Sequence, residues 1–277
     1  MGYDLVRSTT FGRLAQSVER LVYTENVGGS SPSPPTAAGR PFRRVLAAAL
    51  TAVLALSVPF AAAPAAAAEP MGFELLTIAG PAPCTKRRCP DREVRADVIS
   101  AQGEIDNDTA AAFQSFVASH AGDPDFRPLV LLSSPGGTVV GSMKLGILFR
   151  QIGATVLVAR ARAEEGSDDL HVVSSYCMSA CVYAFFGGKR RIIPSGSHLG
   201  IHSMAIYSHD FSLFGDGAQS VRARGTPELV EALSAYTKLM GVNPVAIEEA
   251  EQVPPESIHI LTPAEIARWR VGTPRLR

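Results

Sequence analysis

Ser179 and His202 are the two side chains whose types and spacing best suit nucleophilic chemistry. Ser179 sits in Ser-Ser-Tyr-Cys-Met-Ser-Ala-Cys (174–181), directly before the apolar run 182–186, which is too apolar to be anything but buried. A serine at such a junction can head a helix, where free backbone N–H groups and the helix dipole favour negative charge. The short segment Leu199-Gly-Ile201 has strand character and ends at His202, so it can carry an imidazole back toward that serine. A serine hydroxyl is a poor nucleophile until a base takes its proton, and a histidine titrating near neutral pH suits that task. A second stretch bears on the same chemistry. The apolar run 128–132 leads into Ser133-Ser-Pro-Gly-Gly137, whose glycines present N–H groups with no Cβ in the way, as an oxyanion requires.

Other reactive side chains fit less well. Lys144 falls in a helical pattern, where a solvated face is the ordinary reading of a lysine, and His171, His198 and His209 have no partner motif. The four cysteines form two close pairs, Cys84 with Cys89 and Cys177 with Cys181. An even count in an oxidising compartment suits disulfides, and Cys84 and Cys89 would close a small loop. On one continuous helix Cys177 and Cys181 would lie ~5–6 Å apart at Cβ, too far for a disulfide. They can bond only if Cys177 precedes the helix. A bond would also remove Cys181 as a nucleophile. The two pairs lie in unrelated contexts, which argues against zinc.

The chain has 277 residues, with Lys+Arg 26 balancing Asp+Glu 26, and its 46% hydrophobic content suits a globular core. No basic field points to nucleic acid. Arg40, Arg43 and Arg44 precede the hydrophobic segment 45–63, and small residues 65–68 lead into Glu69. That is the pattern of a signal peptide with an Ala-x-Ala-like cleavage site, although the segment is long enough nearly to span a bilayer as an anchor. Residues 1–39 resemble conceptual translation of a bacterial transfer-RNA gene and read as an over-extended gene model. The expected organisation is therefore 1–39 as artefact, 40–68 as signal peptide or anchor, and 69–277 as one exported domain, periplasmic or secreted, with inner-membrane anchoring facing the periplasm as the alternative.

The elements that must position the chemistry alternate. Strand patterns at 73–78, 94–105, 128–132 and 154–159 are interleaved with helical ones at 110–118 and around Met143, Ile147, Leu148 and Ile152. Asp106 or Asp108 can cap the first helix. The charged stretch 160–169 reads as an exposed excursion before 170–173 resume the core, and 203–224 as a long loop. Helices follow at 227–240 and 245–252, and Thr262-Pro-Ala-Glu265 has the form of a capping box opening a last helix. Such alternation argues for a layered α/β domain, with ligands at the carboxyl ends of strands.

Taken together, 133–152 and 175–202 resemble the ClpP/crotonase superfamily, specifically the ClpP-like serine peptidases. The features that carry the likeness are Ser134-Pro135-Gly136-Gly137, Ser179-Ala180, Gly188-Lys189-Arg190, Pro194 and Ile201-His202, in the family's order and approximate spacing. The likeness is greatest to poorly characterised periplasmic members with a Cys-x-Ser-Ala-Cys element. It implies a mostly parallel sheet with flanking helices, Ser179 as nucleophile and His202 as general base. It further implies an oxyanion hole from Gly136 or Gly137 with the N–H of Ala180, and no metal or cofactor. The substrate would be a peptide or a small ester, and homo-oligomers are common in the family. No ATP-dependent unfoldase is expected outside the cytoplasm, and export disfavours the acyl-CoA branch. The third member stays open. Aligning on Leu261-Thr262 puts Ile258 where the family has Asp, with Glu256 two positions away and Asp210 or Asp216 as further sources. A base in Ser/Lys fashion would be Lys144. The alternative to a hydrolase is a binding or scaffolding protein that kept the fold and lost catalysis.

Overall fold

The computed structural model describes residues 69–81, 93–123, 126–163, 166, 169–209 and 220–273. The segments 1–39 and 45–63, the Cys84–Cys89 loop, and Asp210 and Asp216 lie outside the described residues.

The chain opens with β1 (Gly72–Pro81) and β2 (Glu93–Gln102), paired antiparallel along their whole length. Helix α1 (Thr109–Ser119) follows. Asp106, not Asp108, ties its start: one carboxylate oxygen accepts from the N–H of Asp108 at 2.9 Å and from the N–H and hydroxyl of Thr109, both at 2.7 Å. Those bonds, the Thr109 hydroxyl first, hold Asp106 below the usual carboxylate range against the opposing effect of burial. Then come β3 (Leu129–Ser133), α2 (Val139–Gln151) and β4 (Thr155–Ala163). Strands β2, β3 and β4 are parallel neighbours.

Next are β5 (Leu170–Ser174), β6 (Tyr176–Met178), α3 (Cys181–Gly187) and β7 (Arg190–Ile192), the last pairing parallel with β4. The expected parallel sheet is thus present as β2, β3, β4 and β7, with β1 and β5 joining β2 and β4 antiparallel. A single pair, Ile78 with Leu170, brings β5 back to β1, so the sheet curls on itself. Alternation explains why its strands read as continuous apolar runs. Val130, Leu132, Val156 and Val158 face the helices, while Leu131, Val98 and Ala159 pack on the other face.

Two expectations need correction here. Residues 160–163 are not an excursion but the outer half of β4, paired with β5 from Ala159–Ser174 to Ala163–Leu170. Segment 170–173 does not return to the core: none of its residues is buried, and Val172 is exposed.

The chain continues through β8 (His198–Ile201), β9 (Ala205–His209) and β10 (Ser220–Arg224). Strands β9 and β10 are antiparallel partners, so the expected loop 203–224 is a hairpin in its described parts. Helices α4 (Pro227–Leu239) and α5 (Val245–Gln252), the two-residue strand β11 (His259–Ile260) and α6 (Pro263–Arg268) complete it. The capping box at Thr262 and Glu265 is formed in both directions. A second, three-stranded sheet has the order β11, β8, β6.

Helix α3 is buried along its entire length and crosses α2 where Gly187 meets the Gly146 backbone so closely that a Cβ would not fit. Its C-terminal end is clamped by Arg191, which donates to the carbonyls of Phe186, Gly188, Met240, Val271 and Arg270. Burial, reinforced by neighbouring Arg150, pulls the Arg191 guanidinium down to about 10. The carbonyls of helix ends supply the negative charge that a carboxylate would otherwise bring.

Candidate functional site

Where the two sheets meet, β3 hands its chain over to β6. The Ser134 N–H donates to the Tyr176 carbonyl at 3.1 Å and the Met178 N–H to the Ser134 carbonyl at 3.0 Å. The turn at 135–137 is thereby laid against the end of β6. Gly136 and Gly137 have φ of 120° and 135°, a region costly for any residue with a Cβ. Space demands glycine as well. A Cβ on Gly136 would lie 2.8 Å from Cβ of Ser179 and 2.9 Å from the Met178 carbonyl oxygen, and one on Gly137 would enter the Ile105 backbone. Ile105 pins the turn by donating its N–H to Gly136 O at 2.8 Å and accepting from Thr138 N–H at 2.7 Å. Bonds to residues either side of Gly137 turn its own N–H away from Ile105.

Ser179 follows β6 and is half-buried, with φ of 55° in the left-handed region. For a residue other than glycine that conformation costs on the order of 1–3 kcal/mol and persists only where the surroundings enforce it. Three constraints enforce it. The Ser179 N–H donates to Gly200 O at 2.7 Å, its carbonyl accepts from Val182 N–H at 3.1 Å, and a disulfide joins Cys177 to Cys181 around it. Cys177 lies in the strand and Cys181 is the first residue of α3, so their Cα atoms are 5.3 Å apart, within bonding range. The condition set by the spacing is met.

His202 comes directly after β8. Strand register pairs Met178 with Gly200, so Ser179 is level with Ile201 and His202 stands one residue further along the neighbouring strand. The imidazole is half-buried, and Nδ1 lies 2.8 Å from the Ser203 carbonyl oxygen. A carbonyl can only accept, so Nδ1 carries a proton, and in the neutral ring Nε2 presents the lone pair. That is the tautomer a general base needs. No hydrogen bond joins the Ser179 hydroxyl to the ring among the described residues. Such bonds are often long before substrate arrives.

The remaining expected site residues are placed as follows. The Gly136 N–H donates to the Ser134 hydroxyl at 3.1 Å, whereas those of Gly137 and Ala180 have no acceptor among the described residues. Glu256 is exposed in the loop before β11. Register between β11 and β8 pairs His259 with Ile201, and its continuation brings Ile258 level with His202. The side chain of Ile258 packs on Gly200. Ile258 is therefore level with His202 by register, and the Ser203 main-chain carbonyl accepts the Nδ1–H hydrogen bond. Lys144 is half-buried on α2 with no hydrogen bond to Ser179. His171 lies in β5, His198 opens β8 and His209 ends β9. Among the described residues no three His, Cys, Asp or Glu side chains converge as a metal site, and no helix is long and apolar enough to cross a membrane.

One pair went unnoticed in the sequence. His259 Nε2 lies 3.0 and 3.1 Å from the two carboxylate oxygens of Glu265. Glu265 is held below the usual carboxylate range chiefly by the Thr262 N–H, then by its hydroxyl and by His259. The cap motif predicts Glu265, but nothing in the spacing marks His259.

No family model matches the chain, and no curated protein is detectably similar to it in sequence. Among solved structures, a variant of the membrane-bound stomatin-specific protease 1510-N aligns at 19% identity and a TM-score of 0.42, covering 61% of this chain and 73% of that one. A second variant of that protease, in complex with a substrate peptide, aligns at 18% and 0.41, covering 64% and 71%. A ClpP1 variant from Listeria monocytogenes aligns at 11% and 0.40, covering 61% and 84%. At these values no function transfers to the chain, whose own residues carry the reading below.

Proposed function

We propose that the chain is a serine hydrolase of ClpP/crotonase type, cleaving a peptide or a small ester with Ser179 as nucleophile and His202 as base. The single observation that carries the reading is the left-handed Ser179 held against Gly136, with a base-competent imidazole one residue further along the neighbouring strand. In the first step Ser179 Oγ bonds to the carbonyl carbon while its proton passes to His202 Nε2. The oxyanion is stabilised by the N–H of Ala180 and a glycine amide, Gly137 having no acceptor to give up among the described residues. The imidazolium then protonates the leaving amine or alcohol as its bond breaks, and water releases the acyl group by the reverse proton path. The Ser203 carbonyl holds the ring throughout, in the place where a carboxylate usually stands. The motif resemblance supports a peptide substrate and an oligomer, and the pattern of 40–68 supports export to the periplasm or beyond, with 45–63 as signal or anchor.

A second reading, a binding or scaffolding protein that has lost catalysis, is favoured by Ile258 standing level with His202. A fluorophosphonate probe separates the two. Labelling of wild type that disappears in Ser179→Ala supports the hydrolase; equal labelling of both removes Ser179 as nucleophile, and no labelling of wild type favours the second reading.

A further inference from the structure

The turn that carries His202 is braced by the C-terminal end of α5. Ser203 N–H donates to Val253 O at 2.9 Å, and Met204 N–H donates to Glu251 Oε1 at 3.1 Å. Glu251 is half-buried, Ser203 and Met204 are fully buried, and the carboxylate also stands close enough to the buried phenol of Tyr183 on α3 to reinforce the upward shift that burial causes there. Glu251 thus bonds to the turn that follows His202, and its charge is felt at Tyr183 on the helix that follows Ser179. The Met204 amide has a side-chain oxygen as its acceptor, at an ordinary hydrogen-bond length. The Ser203 carbonyl, acceptor of the Nδ1 proton, lies in the peptide unit whose N–H belongs to Met204. Fixing that N–H fixes the plane of the unit, and with it the direction of the carbonyl.

We propose that Glu251 is the positioning acid of this site: it holds the Ser203–Met204 peptide unit so that the carbonyl orients His202. This rests on the serine hydrolase reading for its catalytic consequence, but not for its structural one. The carboxylate does the work of the absent third member through one peptide group, without touching the ring. Since it acts as an acceptor, a neutral side chain of the same shape should serve nearly as well.

The test uses the full chain carrying Glu251→Met, which keeps volume and removes the acceptor, and Glu251→Gln, which keeps an acceptor oxygen. Each is made alone and with His202→Ala. Second-order rates of fluorophosphonate labelling are read beside melting temperatures. We expect Glu251→Met to lose about tenfold or more, a fraction of what general-base catalysis contributes, and Glu251→Gln to stay within about twofold of wild type. In the His202→Ala background Glu251→Met should add nothing, because partners acting through one group are not additive. An equal loss in both backgrounds would assign Glu251 to the fold instead, and a wild-type rate in Glu251→Met would remove it altogether. Nitrogen-15 NMR of the histidine ring reads the same point without catalysis: wild type should show protonated Nδ1 and bare Nε2, and Glu251→Met a mixture. An unchanged tautomer in Glu251→Met would overturn the proposal even where no labelling occurs. Should Glu251→Met fail to fold, Glu251→Asp, whose oxygens sit one methylene further back, is judged by the same criteria.

Discussion

The two halves of the candidate site are held by different means. Around Ser179, residue types do the holding. Two glycines fit where no Cβ can, a disulfide closes the five residues around the serine, and α3 beyond it is buried from end to end. Around His202, main-chain groups do most of it: the Ser203 and Val253 carbonyls and the Ser203 and Met204 amides, joined by the Glu251 carboxylate. A constraint that depends on residue type is brittle and visible in a sequence. One made of backbone groups tolerates substitution and leaves no trace. Variants on the Ser179 side should therefore cost the most.

The largest effect is expected from Gly136→Ala. Its methyl would press on Ser179 and the Met178 carbonyl at a φ that alanine avoids. A loss of about 2–4 kcal/mol in chemical denaturation is anticipated, typical of overpacking combined with backbone strain, together with loss of probe labelling. Wild-type stability in this variant would mean the turn relaxes and the comparison fails.

Next is the Cys177→Ser, Cys181→Ser pair. Closing so short a loop restricts the unfolded chain by about 2 kcal/mol, so denaturation should show a loss of roughly that size. Labelling should slow beyond what the stability loss explains, because the left-handed serine loses one of its three constraints. Unchanged labelling would leave the bridge a matter of stability only.

The smallest effect belongs to the base side, at the pair that anchors β11 beside Ile201. Glu265 titrates below its ordinary range in the folded chain, so its charge stabilises the fold above the unfolded carboxylate value, and that contribution is lost as pH falls through the lower folded one. The difference in stability between wild type and Glu265→Gln should be a fraction of a kcal/mol near neutrality and vanish in acid. A difference that persists in acid would point to the Glu265 hydrogen-bond geometry instead of its charge.

This division explains what could be read in advance. The run Ser134-Pro-Gly-Gly, the serine before an apolar helix and the condition on Cys177 all rest on what particular side chains can and cannot do, and all were legible. The charged stretch 160–163 was misread because strand pairing uses backbone groups and is indifferent to arginines on an exposed edge. The hairpin of β9 and β10 escaped for the same reason, in a stretch whose Gly, Ser and Asp content suggested a loop. Alignment placed Ile258 at the third position, and the register sets it level with His202. That a main-chain carbonyl would accept from His202 Nδ1 could not be seen, since every residue carries one. Nor did anything in the spacing bring Glu251 to the Met204 amide, across a hairpin and two helices of intervening chain.

The most direct measurement is the rate and position of fluorophosphonate attachment in wild type and in His202→Ala, with the adduct mapped by tandem mass spectrometry. The adduct should lie on Ser179 in wild type, and its formation should slow by about 10²–10⁴ without the imidazole, the usual share of a general base. An adduct on any other residue, or an undiminished rate without His202, would contradict the assignment of nucleophile and base.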